Sequence, residues 1–200
     1  MRANEPVQTQ ALDATTDLVM VGIGGNDAGF SAVFDACRHR DEATCAAVAA
    51  AQAPQSAALS ATLVRLYRTI LERAPNALVL VVLYADSLPS AGTPGLDACS
   101  AIRGPGDTLS DADLAVLAAW GTEISARVRG AVAAIGSARL RIADMGAAFA
   151  GHRICDQAPY QWGRDGEIPY HPNAAGHAAL ARELSSLLDA LAADGAIPSH

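Results

Sequence analysis

Two spacings of apolar residues alternate along this chain. From Asp17 to Ile23 the run Leu18-Val19-Met20-Val21 is nearly unbroken and stops at glycines, the pattern of a short strand buried on both faces, as in a parallel sheet. Residues 31–53 read as a short helix followed by a loop between Cys37 and Cys45. Gln55 to Arg73 changes period: Leu59, Leu63, Leu66, Ile70 and Leu71 form one helical stripe, broken at Pro75-Asn76. Ala77 to Tyr84 is a second fully apolar strand, followed by a long glycine- and proline-rich loop that carries Cys99. A helix with Thr108 or Ser110 as N-cap runs to about Ile135 and stops at Gly136. Leu140 to Ala143 is a third strand, and residues 146–170 are irregular. Leu180, Leu184, Leu187, Leu188 and Leu191 mark a last helix over Ala174–Ala193. Strands alternating with helices predict parallel βαβ units within one α/β domain spanning residues 1–200.

Composition narrows this picture. Hydrophobic residues make up 51% of 200, many of them alanine, so the helices are expected to pack closely. A net charge of −7 argues against nucleic acid as a partner, which calls for a basic face. No apolar run reaches the roughly 18–20 residues of a membrane helix. Met1 to Pro6 lacks the apolar core of a signal peptide. The four cysteines, Cys37, Cys45, Cys99 and Cys155, point the other way. An even number in loops without a Cys-x-x-Cys pair reads as two disulfides formed in an oxidising compartment. The rival is a zinc site using His39 or His152, although the spacings fit no common zinc pattern. A start that lacks a leader beside cysteines that suit secretion is most simply reconciled if the beginning of the chain is missing.

Two stretches carry chemistry. Gly24-Gly25-Asn26-Asp27 follows the first strand, at the carboxyl end where open α/β sheets bind ligands. Glycines there let backbone approach a ligand, and Asn26 can offer an amide donor. His171-Pro172-Asn173 precedes the last helix, where proline is tolerated in the first turn and a fixed histidine can act as a general base. Other readings are weaker. Gly22-Ile23-Gly24-Gly25 begins like a dinucleotide loop, but Asp27 stands where the third glycine belongs. Trp120 reads as core, and His177 as a residue of the last helix without a catalytic part.

Together these stretches resemble the SGNH (GDSL-type) esterase/lipase family, Gly24-Gly25-Asn26-Asp27 matching its third block and His171-Pro172-Asn173 its fifth. Phe30, the Cys37–Cys45 loop, Pro75-Asn76, the later cysteine pair and the alanine-rich last helix extend the likeness over most of residues 15–193, closest to secreted actinobacterial members. The resemblance implies a flavodoxin-like three-layer α/β/α sandwich with a parallel sheet, and secretion. It implies a serine that attacks an acyl ester, with no metal and no cofactor. By position, His171 is the base and Asn26 the oxyanion donor, with Gly25 and Asp27 supporting the loop and Asp27 holding Asn26 in place. Many members orient the histidine with an aspartate three residues earlier. Ile168 stands there, so its carbonyl is the first candidate, and Asp165 or Glu167 the second.

The family's Gly-Asp-Ser block has no counterpart. Before Gly24 the only hydroxyls are Thr9, Thr15 and Thr16. Ser87 in Asp86-Ser87 imitates the block but follows the wrong strand. The expectation is therefore a C-terminal portion of an ester hydrolase or, alternatively, an inactive chain retaining at most a binding groove. The family's strand order adds a physical consequence: without the first strand, Leu18–Ile23 becomes an open edge through which copies self-associate.

Overall fold

The computed structural model describes residues 7–39 and 41–195. After a 3-10 turn at Gln8–Ala11, strand β1 (Leu18–Val21) leads into helices α1 (Phe30–His39) and α2 (Glu42–Arg73). Strand β2 (Leu78–Val82) is followed by a small antiparallel hairpin of β3 (Arg103–Gly104) and β4 (Asp107–Thr108). Helix α3 (Asp111–Ile135), strand β5 (Leu140–Ala143) and helix α4 (Ala174–Ala193) complete the order.

The main sheet is parallel and runs β1-β2-β5. Its middle strand is the most apolar: Val79 and Leu80 have no exposed surface. Side chains alternate across it. Val79, Val81 and Leu83 join Leu59, Leu63 and Ile70 of α2 and Leu114, Leu117 and Ile124 of α3. Leu78 and Leu80 face the other way, with Ala143 and Met145, against Leu180, Leu184, Leu187, Leu188 and Leu191 of α4. These are the three layers, with α2 and α3 on one side of the sheet and α4 on the other. Trp120 is buried in the core, as its place on the helix predicts.

Local chemistry sets where the helices begin and end. Ser110 rather than Thr108 caps α3, in a reciprocal box: its hydroxyl accepts from the Asp113 amide, and the Asp113 carboxylate accepts from the Ser110 amide. Gly136 ends the helix at φ 64°, a left-handed turn that glycine adopts without strain. Arg139 then ties β5 to the end of α2 by donating to the carbonyls of Leu71, Ala74 and Ala77.

One segment differs from its sequence reading. The Cys37–Cys45 stretch is not a loop. Cys37 lies in α1 and Cys45 in the first turn of α2. Asp41 caps α2 by accepting from the Thr44 amide at 3.0 Å, and the alanine-rich stretch from Glu42 onward is strong helix former, so α2 starts far before Gln55 and runs through Pro54. Both disulfides are present, Cys37–Cys45 and Cys99–Cys155, which overturns the zinc reading of these cysteines. His39 and His152 instead engage carbonyls, those of Gly106 and Ala158. Among the described residues, no helix is long and apolar enough to cross a membrane.

Candidate active site

Parallel strands deliver their following loops to one end of the sheet, and both predicted stretches lie on that side. After β1 the chain winds tightly: the amide of Ala28 donates to Gly24 O, that of Gly29 to Asn26 O, and that of Phe30 to Gly25 O. Gly24 sits at φ 114°, where a side chain would be strained, and it lies beside Leu59. Gly25 is buried, and its amide points at the Tyr84 hydroxyl, 3.4 Å away at the end of β2.

Asn26 is exposed at the tip of this turn. Ser31 Oγ donates to its Oδ1 at 2.7 Å. Holding the oxygen fixes the orientation of the amide, so that the Nδ2 donors face away from Ser31. Asp27 was expected to do this. Instead its side chain is exposed, and its carbonyl accepts from Gln55 Nε2 at 2.8 Å. Ser31 is therefore the residue that sequence reasoning missed; only a bond across one turn of a folded loop identifies it.

His171 is held by the backbone around it. Residues 160–162 run against 170–173: Trp162 N donates to His171 O, Tyr170 N to Trp162 O, and Asn173 N to Tyr160 O. Gln161 Nε2 adds a bond to Tyr170 O at 2.8 Å. Asn173 caps α4 by accepting from the Gly176 amide, and a Cβ on Gly176 would fall 2.0 Å from Tyr160 O, so only glycine fits there. Tyr170 has φ 60°, a conformation costly for a side-chain-bearing residue and sustained only by its surroundings.

The His171 ring nitrogen Nδ1 lies 2.8 Å from the Pro169 carbonyl. A carbonyl only accepts, so the proton belongs on Nδ1, and Nε2 keeps the lone pair a general base needs. This corrects the expected orienting group. Ile168 O is occupied by the His171 amide at 3.1 Å, because the chain turns back on itself here. Asp165 pairs with Arg164 Nε at 3.0 Å, and neither it nor the exposed Glu167 bonds to the ring.

An aromatic ladder connects the two stretches. Phe30 stacks on Phe34 at 5.8 Å, and Phe34 meets Tyr170 edge-on at 4.8 Å. The Arg38 guanidinium lies over both Phe34 and Tyr170, at 5.4 and 4.6 Å from the ring centres. Helix α1, which begins four residues after Asn26, thus packs against the residue that precedes His171. Exposed apolar side chains accompany both: Ile23 and Tyr84 past the ends of β1 and β2, Trp162 and Ile168 beside His171.

The hydroxyls are placed otherwise. Thr15 and Thr16 bond to Asp13 before β1, at the end of the strand opposite Gly24. Ser87 lies past β2, its carbonyl accepting from the Ile154 amide. No serine or threonine hydroxyl among the described residues hydrogen-bonds the His171 ring. His177 is exposed on α4, its amide bonded to Asn173 O.

Comparison with known proteins gives this arrangement a context. The model of the GDSL-like Lipase/Acylhydrolase family matches residues 2–179. A lipase of Streptomyces rimosus is 33% identical over 174 residues, which is 84% of this chain and 59% of that protein. Lipase 1 of Streptomyces coelicolor is 32% identical with the same coverage. The chain thus spans about 59% of the length of these curated relatives. The crystal structure of the extracellular lipase from Streptomyces rimosus superposes with a TM-score of 0.75 at 31% identity, over 90% of this chain and 72% of that one. Phospholipase A1 from Streptomyces albidoflavus gives the same score and coverage at 28% identity. Sequence and three-layer fold agree, and the chain belongs to the GDSL-like lipase/acylhydrolase family.

Proposed function

We propose that residues 1–200 form the C-terminal portion of one catalytic domain of a serine-type hydrolase of acyl esters, supplying its general base and its amide oxyanion donor. The observation that carries this reading is the aromatic ladder Phe30–Phe34–Tyr170, which packs the Asn26 turn and the His171 segment together at the carboxyl end of the sheet. A serine Oγ attacks the ester carbonyl while His171 Nε2 takes its proton. Charge gathers on the carbonyl oxygen, and Asn26 Nδ2 donates to it. The His171 proton then passes to the departing alkoxide, and water releases the acyl group by the same route. Gly25 shapes the loop, and Pro169 O steadies the imidazolium through Nδ1. Ile23, Tyr84, Trp162 and Ile168 offer apolar surface suited to an acyl chain. Two disulfides, together with the extracellular lipase among its structural neighbours, support a secreted protein.

The absence of a hydroxyl bonded to His171 among the described residues favours a second reading of the isolated chain: alone it is inactive and retains at most a groove. One experiment separates the two. The 200-residue chain, and the product read through from the DNA upstream of its Met1 codon, are incubated with a fluorophosphonate and with p-nitrophenyl esters. The expected result is labelling and turnover in the longer product only. There His171→Ala abolishes turnover, and Asn26→Ala lowers kcat by about two to three orders of magnitude. Turnover by the 200-residue chain that depends on one of its own hydroxyls defeats this assignment, as does an active His171→Ala product.

A further inference from the structure

Ile168-Pro169-Tyr170-His171 is a tight turn, closed by the bond from the His171 amide to Ile168 O at 3.1 Å. Proline at its second position suits type I and type II turns alike. The third position decides between them: φ is about −90° in type I and about +80° in type II, where glycine is the usual residue. Tyr170 stands there at φ 60°, so the turn is type II although its own residue favours type I. The difference matters because the two types hold the middle peptide opposite ways up. As found, the Pro169–Tyr170 peptide is gripped at both ends: its N–H donates to Trp162 O at 3.2 Å, and its oxygen faces His171 Nδ1 at 2.8 Å. Turned over into type I, the same peptide gives up both bonds, and the proton on Nδ1 loses its acceptor.

Local preference opposes this arrangement, so contacts from outside the turn hold it. The His171 ring is exposed, where water can replace a lost partner, so the two peptide bonds alone offset little of the cost. Gln161 Nε2 holds Tyr170 O, but that carbonyl lies beyond the peptide that flips. The Tyr170 ring is gripped more firmly. Phe34 meets it edge-on at 4.8 Å, and the Arg38 guanidinium lies 4.6 Å from its centre. The Arg38 side chain is only 18% exposed and lies 3.8 Å from Asp35, so water weakens its attraction to the ring little. Both residues belong to α1, one turn apart, and α1 is a firm base: Val33, Phe34 and Cys37 are buried, and Cys37 is bridged to Cys45 of α2. We propose that Tyr170 is a positioning residue for His171: its ring, clamped by Phe34 and Arg38, keeps the turn in type II and so keeps Pro169 O on Nδ1. The consequence for catalysis rests on the general-base reading of His171; the placement of the proton does not.

Nitrogen-15 spectra of the 200-residue chain read that proton without activity, the His171 signals being those lost in His171→Gln. The unsubstituted chain should carry the proton on Nδ1. Tyr170→Phe keeps both ring contacts and should match it. Tyr170→Ala removes the clamp and retains the cost of a left-handed side-chain-bearing residue, so the proton should spread over Nδ1 and Nε2. Tyr170→Gly removes clamp and cost together and should restore Nδ1. Arg38→Met, which keeps bulk without charge, should fall between the unsubstituted chain and Tyr170→Ala, and it decides the matter if Tyr170→Ala does not fold. In the product read through from upstream, Tyr170→Ala should lower kcat about tenfold with KM unchanged, and Tyr170→Gly should recover most of the loss. A proton on Nε2 in the unsubstituted chain overturns the proposal. So do Tyr170→Ala and Arg38→Met spectra that keep the Nδ1 proton in full, and a Tyr170→Gly no better than Tyr170→Ala. A longer product without ester turnover ends the hydrolase reading instead, and the spectra then decide the placement alone.

Discussion

Tyr67 shows how far a single buried group can govern behaviour away from the site. It has no exposed surface, and its hydroxyl has no hydrogen-bond partner among the described residues. Burial, with the nearby Tyr84 adding to it, pushes its pKa from 10.0 up to about 12. The folded state therefore favours the neutral phenol. Stability from this source is complete below the unfolded pKa and is lost as pH rises from about 10 to 12, a span worth about 2 to 3 kcal/mol. Urea unfolding at the two ends of that window should show the loss, and Tyr67→Phe should flatten it. Because the substitution also removes an unpaired hydroxyl from the core, it should raise stability by about 1 kcal/mol at neutral pH. At the same scale, Asn26 and His171 were readable from sequence because each sits in a short motif at the end of a strand or the start of a helix. Their supports were not. Ser31 reaches Asn26 across a turn, and Pro169 O replaces Ile168 O because Tyr170 takes a left-handed conformation that neighbouring residues do not announce.

Among the elements, strand positions followed from apolar runs, and the last helix from its leucine stripe, since both bury one continuous surface. Helix α2 was read short for a physical reason: between Cys45 and Pro54 alanines outnumber the larger apolar residues that reveal a stripe, and Pro54 looks like a stop. Its true start depends on Asp41. Asp41→Ala should cost about 1 kcal/mol in chemical denaturation, with no change in the Cys37–Cys45 bridge. The two disulfides should differ more. Cys37 and Cys45 are separated by 8 residues, Cys99 and Cys155 by 56. By the loop-entropy argument, replacing the first pair with alanine should cost about 2.5 kcal/mol and the second about 4 kcal/mol. Denaturant midpoints of the two double variants test that order.

At the scale of the whole molecule, the described sheet has an almost fully buried middle strand between two less buried ones. The alternation of βαβ units foretold parallel pairing, and among the described residues the strand order is β1-β2-β5, with β1 at one edge and β5 at the other. Hydrogen exchange should resolve the two sides of β1. In dilute solution the amides of Leu18 and Met20 should exchange far faster than those of Val19 and Val21, which are bonded to β2.

The Cys99–Cys155 bridge has a reach beyond its own stability. It fastens the long connection after β2 to the segment that leads into Trp162 and His171. Arg153, two residues before Cys155, donates to Asp86 O and to Ser90 Oγ and sews the same two segments together. In reducing surroundings the Arg153 bonds and the bond from the Ile154 amide to Ser87 O would be left to hold these segments together, so the setting of His171 answers to redox conditions along with the stability of the whole fold.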